Sequence, residues 1–408
     1  MKRALVFVLV LVIILPMLLA SCGGNVTTPT STQQSTTTAK KVQFGLVTFM
    51  SGPAAPWGIG MSRLMQLWID QNTAAGGFTV QGQRYNWDLV ITDDQYDPAK
   101  AVTQLSYLVS QKNTKFVCVV AASCAAAAAP IINQEGLLNI SGATADPTIF
   151  GPSNPNSFVM ALMPPEQTYT VWFKWFAANK SVKSVASINP NDEAGSQCRD
   201  GAIAAAKATG VQMVDTELYN AGGATTDFIP ILTKVLQTKP DMIDLGTSAP
   251  SDAALIVKQA RQLGFNGPML LWEAQGKQVS DITGGAYAQN TYSQGTSSED
   301  AQLAPFAQDI RMQFIANYGE EPLALWLYVD MMVALTQAIE DANSLAVPDV
   351  IKALEKVSVT ACDGSTWTCS GASIFGGLKR HLGATAVLSQ YKDGIYSYLM
   401  TASAPAGY

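Results

Sequence analysis

Short apolar runs alternate with amphipathic segments along most of the chain. The runs are apolar at consecutive positions, which is typical of strands buried on both faces of a parallel sheet. Strands are therefore predicted at Val42–Phe49, Asp88–Asp94, Phe116–Val120, Leu137–Ser141, Val185–Asn189, Val211–Leu218, Met242–Gly246 and Pro268–Trp272. Between them, apolar side chains three and four positions apart predict helices at Gly60–Ala75, Pro98–Gln111 and Ala194–Thr209.

The repeated strand-helix units predict an α/β fold with doubly wound parallel sheets. The rhythm restarts at Val185, so two similar lobes are expected. The C-terminal part departs from this rhythm. It predicts helices at Leu303–Tyr318, Leu323–Ala342 and Val347–Lys356, and a hairpin of Ala386–Gln390 and Ile395–Met400 around Asp393-Gly394.

The N-terminal 21 residues have the pattern of a secretory signal. Lys2 and Arg3 precede an apolar run, Ala4–Ala20, which is shorter than the roughly 20 residues of a spanning helix. Leu19-Ala20-Ser21-Cys22 resembles a lipobox, so residues 1–21 are predicted to be a lipoprotein signal peptide and Cys22 to carry the lipid. The alternatives are an uncleaved anchor helix and an ordinary signal peptide.

Residues 22–41 are expected to form a lipid-anchored flexible tether, because Asn25–Thr38 is rich in Thr, Ser and Gln and has no apolar face. The net charge of the 408-residue chain is −6, and loss of Lys2 and Arg3 with the signal peptide lowers it to −8. An acidic body argues against a nucleic-acid partner, since phosphate binding needs a basic face. With 48% hydrophobic residues, the remaining length is sufficient for two domains.

The cysteines suggest one disulfide. Cys362 and Cys369 flank a short turn-rich loop, and an extracytoplasmic compartment would allow them to pair. Cys118, Cys124 and Cys198 include at least one unpaired thiol. No two cysteines have the spacing of a structural zinc site, so no metal is expected.

Signals of catalysis are weak in this chain. The single histidine, His381, lies beside Lys and Arg, where a solvated loop residue is expected. The chain has no Gly-x-Ser-x-Gly elbow and no phosphate-binding loop, and the Gly-Ile-Gly at Gly58–Gly60 lacks the third glycine of a dinucleotide site. We therefore expect neither an enzyme nor a cofactor.

Several stretches together resemble the branched-chain amino-acid binding proteins of bacterial ABC importers, in their lipoprotein form. They are "FGLVTFMSGPAAPWGIGM", "AAGG", "ITDDQYDPAKAV", "APIINQEGLLNISGAT" and "VKQARQLGF". The similarity is strongest in roughly the first 120 residues of the body and weak after Ser280. It implies a type I periplasmic-binding, Leu/Ile/Val-binding-like clamshell, with two lobes joined by three crossovers and a ligand in the cleft between them. Lobe 1 is then 42–163 and 294–342, and lobe 2 is 164–293 and 343–408.

The resemblance also implies a site for a free amino acid. A small hydroxyl residue at the start of the alanine-rich helix binds the ligand carboxylate in this family, and Ser123 is the nearest match, with Ala122 as the alternative. The helix N-terminus would contribute N–H groups and a positive dipole end. The turn Gly142-Ala143-Thr144 corresponds to the one that binds the ligand through backbone and hydroxyl groups.

In lobe 2, Glu273 corresponds to the acid that pairs with the ligand ammonium, and Trp57 in lobe 1 to an aromatic wall of the side-chain pocket. The chain has Ala194 where relatives often have Tyr. It has Thr247-Ser248-Ala249 where they have aromatic residues, so Ser248 is expected in a reshaped wall. The ligand therefore stays open between an amino acid and an amide, urea-like or aromatic carboxylate compound. We expect a monomeric, membrane-anchored extracytoplasmic receptor that delivers its ligand to an ABC permease, with a sensory subunit as an alternative.

Overall fold

The structure is a computed structural model that describes residues 38–160, 163–221, 223–272, 276–404 and 408. The predicted signal peptide, Cys22 and almost all of the tether lie outside the described residues.

In the described part the strands are β1 (Lys40–Thr48), β2 (Phe78–Val80), β3 (Gln83–Asp93), β4 (Phe116–Val119), β5 (Leu138–Ser141), β6 (Ser157–Met160), β7 (Ser184–Pro190), β8 (Gln212–Tyr219), β9 (Met242–Asp244), β10 (Met269–Leu271), β11 (Thr291–Gly295), β12 (Ser358–Thr360), β13 (Thr366–Ser370), β14 (His381–Leu382), β15 (Thr385–Lys392) and β16 (Ile395–Ser403).

The helices of the same residues are α1 (Ala55–Ala74), α2 (Pro98–Lys112), α3 (Ala122–Gln134), α4 (Pro165–Lys180), α5 (Glu193–Thr209), α6 (Ile229–Gln237), α7 (Pro250–Gln262), α8 (Gly276–Thr283), α9 (Pro305–Tyr318), α10 (Leu327–Ala342) and α11 (Val347–Leu354). Local sequence explains where α2 begins. Asp97 caps α2 by accepting hydrogen bonds from the N–H groups of Ala99 and Lys100, as its position before Pro98 predicts. None of the helices in the described part is long and apolar enough to cross a lipid bilayer.

Two separate sheets form two lobes. The first sheet has the order β12-β13-β14-β6-β5-β4-β1-β3-β2, and the second has the order β16-β15-β11-β10-β9-β7-β8. The central pairs of both sheets are parallel. The chain passes between the sheets three times, after β6, after β11 and after β14. The predicted α/β class, with two doubly wound lobes and three crossovers, is confirmed.

The second sheet shows why its strands read as continuous apolar runs. Val185 and Met242 pack into one cluster with Trp172, while the next residues along these strands, Ala186 and Ile243, pack into another cluster on the opposite face. Both faces of the sheet are thus covered by helices, and consecutive positions are all buried.

The C-terminal segment is divided differently from the prediction. Residues 343–382 were expected in lobe 2, but β12, β13 and β14 extend the first sheet, where β14 pairs with β6. Val350, Leu354 and Trp367 are buried in the core of the first lobe. Only the hairpin β15–β16 joins the second sheet, through antiparallel pairing of β15 with β11. The amphipathic pattern of α11 could not indicate which core its apolar face would join.

The predicted Cys362–Cys369 disulfide is wrong, because both thiols are free and buried. Thr360 pairs with Thr366 at the end of the β12–β13 hairpin. Cys362 lies in the loop beyond this pair, whereas Cys369 lies three residues, roughly 10 Å, away in the other direction along β13. A disulfide needs Cα atoms within about 7 Å.

His381 also differs from the expectation of a solvated loop residue. It is fully buried in β14, and its Nδ1 lies 2.5 Å from the hydroxyl oxygen of Tyr408. The polar neighbours Lys379 and Arg380 do not reveal this, because Arg380 is itself buried and donates a hydrogen bond to the carbonyl of Pro155 at 2.9 Å.

Candidate functional site

Two adjoining cavities lie where the carboxyl ends of the two sheets face each other. The smaller, of about 70 Å³, is called the small cavity and is lined by Phe49, Trp57, Met61, Tyr96, Val120, Ala121, Ala122, Gly142, Ala143, Thr144, Ala194, Thr247, Trp272, Leu325 and Tyr328. Most of these residues lie within three positions after the end of a strand, and this end of an open α/β sheet is where ligands bind.

The second, called the large cavity, has a volume of about 320 Å³. It is lined by Ser51, Gly52, Pro53, Ala54, Trp57, Gln95, Tyr96, Pro190, Asp192, Tyr219, Ala221, Thr247, Ala249 and Asp252. Trp57, Tyr96 and Thr247 line both cavities, so the two spaces adjoin at these side chains. Each cavity takes residues from both lobes.

The start of α3 forms one wall of the small cavity. Ala121, in extended conformation, is the N-cap residue and has no side-chain hydrogen bond that would cap the helix. Ala121 and Ala122 line the cavity, whereas Ser123 is half-buried in the first turn and is not part of the lining. The N–H groups of a first helical turn have no intrahelical acceptor. The small alanine side chains leave this backbone accessible to a ligand.

The turn after β5 forms the adjacent wall, and Gly142, Ala143 and Thr144 all line the small cavity. A Cβ atom on Gly142 would lie 2.3 Å from the hydroxyl oxygen of Tyr328, so the close approach of α10 requires glycine here. The hydroxyl of Thr144 hydrogen bonds to the Gln197 side chain of the other lobe. The structure therefore brings these predicted residues together with Trp57.

Aromatic side chains from distant parts of the chain complete the small cavity. Trp57 lies in the first turn of α1, Tyr96 follows β3, Trp272 follows β10, and Tyr328 lies on α10. Sequence reasoning identified Trp57 and missed the other three. Trp272 could have been found as the last residue of a predicted strand, but nothing in the helical pattern around Tyr328 distinguishes it from a core residue.

The lobes touch each other across the cleft. Gln197, on α5, donates a hydrogen bond to Asp146 of the first lobe at 2.6 Å. Ala194 and Ala249 of the second lobe pack against the core of the first. The structure thus has both lobes in contact over the cavities.

Two carboxylates of the second lobe line the large cavity. Asp252 is 5% exposed, and burial raises its pKa to about 6. Asp192 accepts a hydrogen bond from Gly195 N at 2.7 Å, and burial raises its pKa as well. Burial and the charge of Asp192 raise the pKa of the Tyr96 phenol. No lysine, arginine or histidine is among the described residues that line either cavity.

Two of the predicted site residues, Ser123 and Ser248, do not line either cavity. Ser248 is fully buried and donates a hydrogen bond to the carbonyl of Leu245 at 2.6 Å, while its neighbour Thr247 lines both cavities. Glu273 lies outside the described residues. Among the described residues, no group of His, Cys, Asp and Glu side chains is arranged to hold a metal ion.

A family model described as periplasmic binding protein matches residues 41–392. The solved structure of a leucine-binding protein LivK from Thermotoga maritima is 19% identical, with a TM-score of 0.74 over 89% of this chain and 99% of that one. A branched-chain amino acid binding protein LivJ from Streptococcus pneumoniae, in complex with isoleucine, is 20% identical, with a TM-score of 0.74 over 89% and 99%. A solute-binding protein from Rhodopseudomonas palustris, in complex with benzoate, is 17% identical, with a TM-score of 0.75 over 90% and 98%. The predicted type I periplasmic-binding fold is confirmed.

Proposed function

Because the chain belongs to the periplasmic binding protein family, we propose that it is an extracytoplasmic receptor for a small amino acid or amino-acid-like solute. The ligand binds in the cavities between the lobes and is passed to an ABC permease. The observation that carries this proposal is the pair of adjoining cavities, which combines an uncapped helix N-terminus, aromatic walls and carboxylates. The solute-binding proteins with the same fold support it.

The ligand carboxylate is assigned to the small cavity. The first turn of α3 offers N–H groups and the positive end of the helix dipole, which favour an anion. Thr144 can add a hydroxyl donor once it exchanges its hydrogen bond with Gln197 for one with the ligand. Ala122 lines the small cavity, whereas Ser123, the nearest match in the family pattern, does not.

The ligand ammonium is assigned to the small cavity, on the side where Trp272 lines it. Glu273, predicted for this role, follows Trp272, which lines the small cavity. A carboxylate facing an ammonium forms a charge-assisted hydrogen bond, stronger than a neutral one. An aromatic carboxylate is the second candidate ligand, because the aromatic walls suit a ring. It carries no ammonium group for Glu273 to bind.

The membrane attachment is proposed from the sequence. Cys22 carries the lipid and residues 22–41 hold the receptor near the membrane surface. A Cys22→Ala variant is expected to leave the membrane fraction, whereas Cys118→Ala is expected to stay there. Equal partitioning of both variants would contradict a lipid anchor.

A thermal-shift panel tests the ligand class. Amino acids, amides and aromatic acids are each added to the purified protein, and hits are measured by calorimetry. A ligand at one hundred times its dissociation constant stabilises the fold by about 2.7 kcal/mol, which is readily measured. Thr144→Ala is expected to weaken binding, whereas Thr103→Ala, on the exposed face of α2, is the matched control. If no amino acid raises the melting temperature, the proposal is wrong.

A further inference from the structure

Among the described residues, the large cavity has side-chain oxygen atoms with no hydrogen-bond partner or with only a long one. Thr247 is 7% exposed, and its hydroxyl oxygen is buried without a partner among the described residues. Asp192 Oδ2 is likewise buried without a partner at hydrogen-bond distance, although the Tyr96 phenol lies close enough to lower the pKa of this carboxyl. Asp252 Oδ2 accepts a hydrogen bond from the Tyr219 hydroxyl at 3.3 Å, a long contact. Buried polar atoms of native proteins normally have hydrogen-bond partners. These oxygens are therefore suited to a ligand that donates hydrogen bonds.

The charges in the large cavity point to the kind of donor. Asp192 and Asp252 bring two carboxylates to one enclosed space, and no described lining residue has a positive side chain. Burial of uncompensated carboxylates is costly, which is why the pKa of Asp252 is raised to about 6. A bound cation would offset this cost and would favour the ionised form of both acids.

Aromatic rings surround the same space. Trp57, Tyr96 and Tyr219 line the large cavity, and aromatic faces attract ammonium and guanidinium groups. Trp57, Tyr96 and Thr247 also line the small cavity, so a ligand that occupies both spaces would place its methylene chain beside their side chains.

We propose that the large cavity binds a cationic head group, so that the ligand is a basic amino acid rather than a neutral aliphatic one. The α-carboxylate and α-ammonium occupy the small cavity, the side-chain methylenes lie against Trp57, and the distal ammonium or guanidinium binds Asp192, Asp252 and Thr247. This inference rests on the proposed function, because it assigns the distal end of the same ligand.

Calorimetry with matched ligands tests this assignment on the purified full chain. Lysine is compared with norleucine, and arginine with citrulline, since each pair differs mainly in the distal charge. Lysine or arginine is expected to bind at least about tenfold more tightly than its neutral partner. Equal or tighter binding of the neutral partners overturns the cationic site and leaves the amino-acid receptor intact.

Two variants locate the distal charge. Asp252→Asn is expected to weaken the basic ligand about tenfold and to narrow its advantage over the neutral one. Thr247→Val, which is almost isosteric, is expected to weaken it severalfold, while Asp227→Asn, an exposed acid of the same lobe, serves as control. Circular dichroism verifies that the variants fold. An unchanged preference for the basic ligand in both variants overturns the assignment.

A diamine separates the two proposals. Cadaverine has the distal ammonium of lysine and lacks the carboxylate. Weak binding of cadaverine beside tight binding of lysine supports both assignments. Binding of cadaverine alone would keep the cationic site and overturn the α-carboxylate site of the proposed function. If no amino acid and no amine binds, both proposals fall.

Discussion

Asp330 is a buried carboxyl group in the first lobe, and its raised pKa can be tested. This α10 residue is 4% exposed, and its Oδ1 accepts a hydrogen bond from Cys362 N at 2.6 Å. Burial raises the pKa of Asp330 to about 7, although its hydrogen bonds with Cys362 favour the ionised form. The carboxyl therefore titrates near neutral pH in the folded protein.

The sign of the effect follows from proton linkage. The folded state holds the proton to about pH 7, whereas an unfolded chain releases it near the ordinary pKa of 3.8. Stability from this group is fully present below pH 3.8 and is lost as the pH rises through 7. The whole shift corresponds to about 4 kcal/mol, of which about 1.4 kcal/mol falls between pH 6 and pH 8.

Asp330→Asn keeps an acceptor oxygen and removes the titration. The free energy of unfolding of the variant relative to the native protein is expected to rise by about 1 kcal/mol between pH 6 and pH 8. Denaturant unfolding of the ligand-free protein at both pH values measures this difference, and other titrating groups cancel in the comparison. Asp341→Asn, at the exposed end of the same helix, controls for loss of a charge. If the free energy of unfolding depends on pH in the same way in the native protein and in Asp330→Asn, the pKa of Asp330 is not raised in the folded state.

Three further predictions concern the cleft and the thiols. Gly142→Ala places a Cβ atom 2.3 Å from the Tyr328 hydroxyl and is expected to weaken ligand binding about tenfold. Calorimetry of the double variant with Tyr328→Phe should show part of the affinity restored, and no recovery would argue against this clash. Gln197→Ala removes hydrogen bonds between the lobes and is expected to weaken ligand binding roughly threefold to tenfold. X-ray scattering should show a larger radius of gyration, and unchanged scattering and affinity would contradict a role of Gln197 in closure of the cleft. Alkylation in denaturant without reductant should modify both Cys362 and Cys369, since both are free thiols, whereas a cross-linked peptide in the mass spectrum would contradict the structure.

The secondary structure was largely readable from local patterns. The predicted strand at Phe116–Val120 is observed as β4, and the predicted helix at Pro98–Gln111 as α2. These elements follow from consecutive apolar residues and from capping chemistry, which act within a few positions of the chain. The hairpin turn is similar, because Asp393 and Gly394 both adopt positive φ angles, as a tight turn of this composition requires.

Long-range partners were harder to predict. The segment 343–382 has the same apolar content whichever core it joins, and only strand pairing placed it in the first sheet. The spacing of Cys362 and Cys369 suggested a disulfide, but the hairpin register separates them. Register depends on which residues face each other, and a distance along the chain does not specify this.

Local periodicity and short motifs were sufficient to predict the fold class, the two-lobed repeat and the turns that end at the cleft, including Gly142 and Thr144. The packing of α3 was needed to show that Ala122 rather than Ser123 lines the small cavity, since one residue along a helix turns the side chain by about 100 degrees. Only the tertiary structure brought Tyr328 from a distant helix and Asp252 from the other lobe to the site. Such residues determine the charge and the aromatic lining of the cavities, and they come together only when the lobes pack against each other.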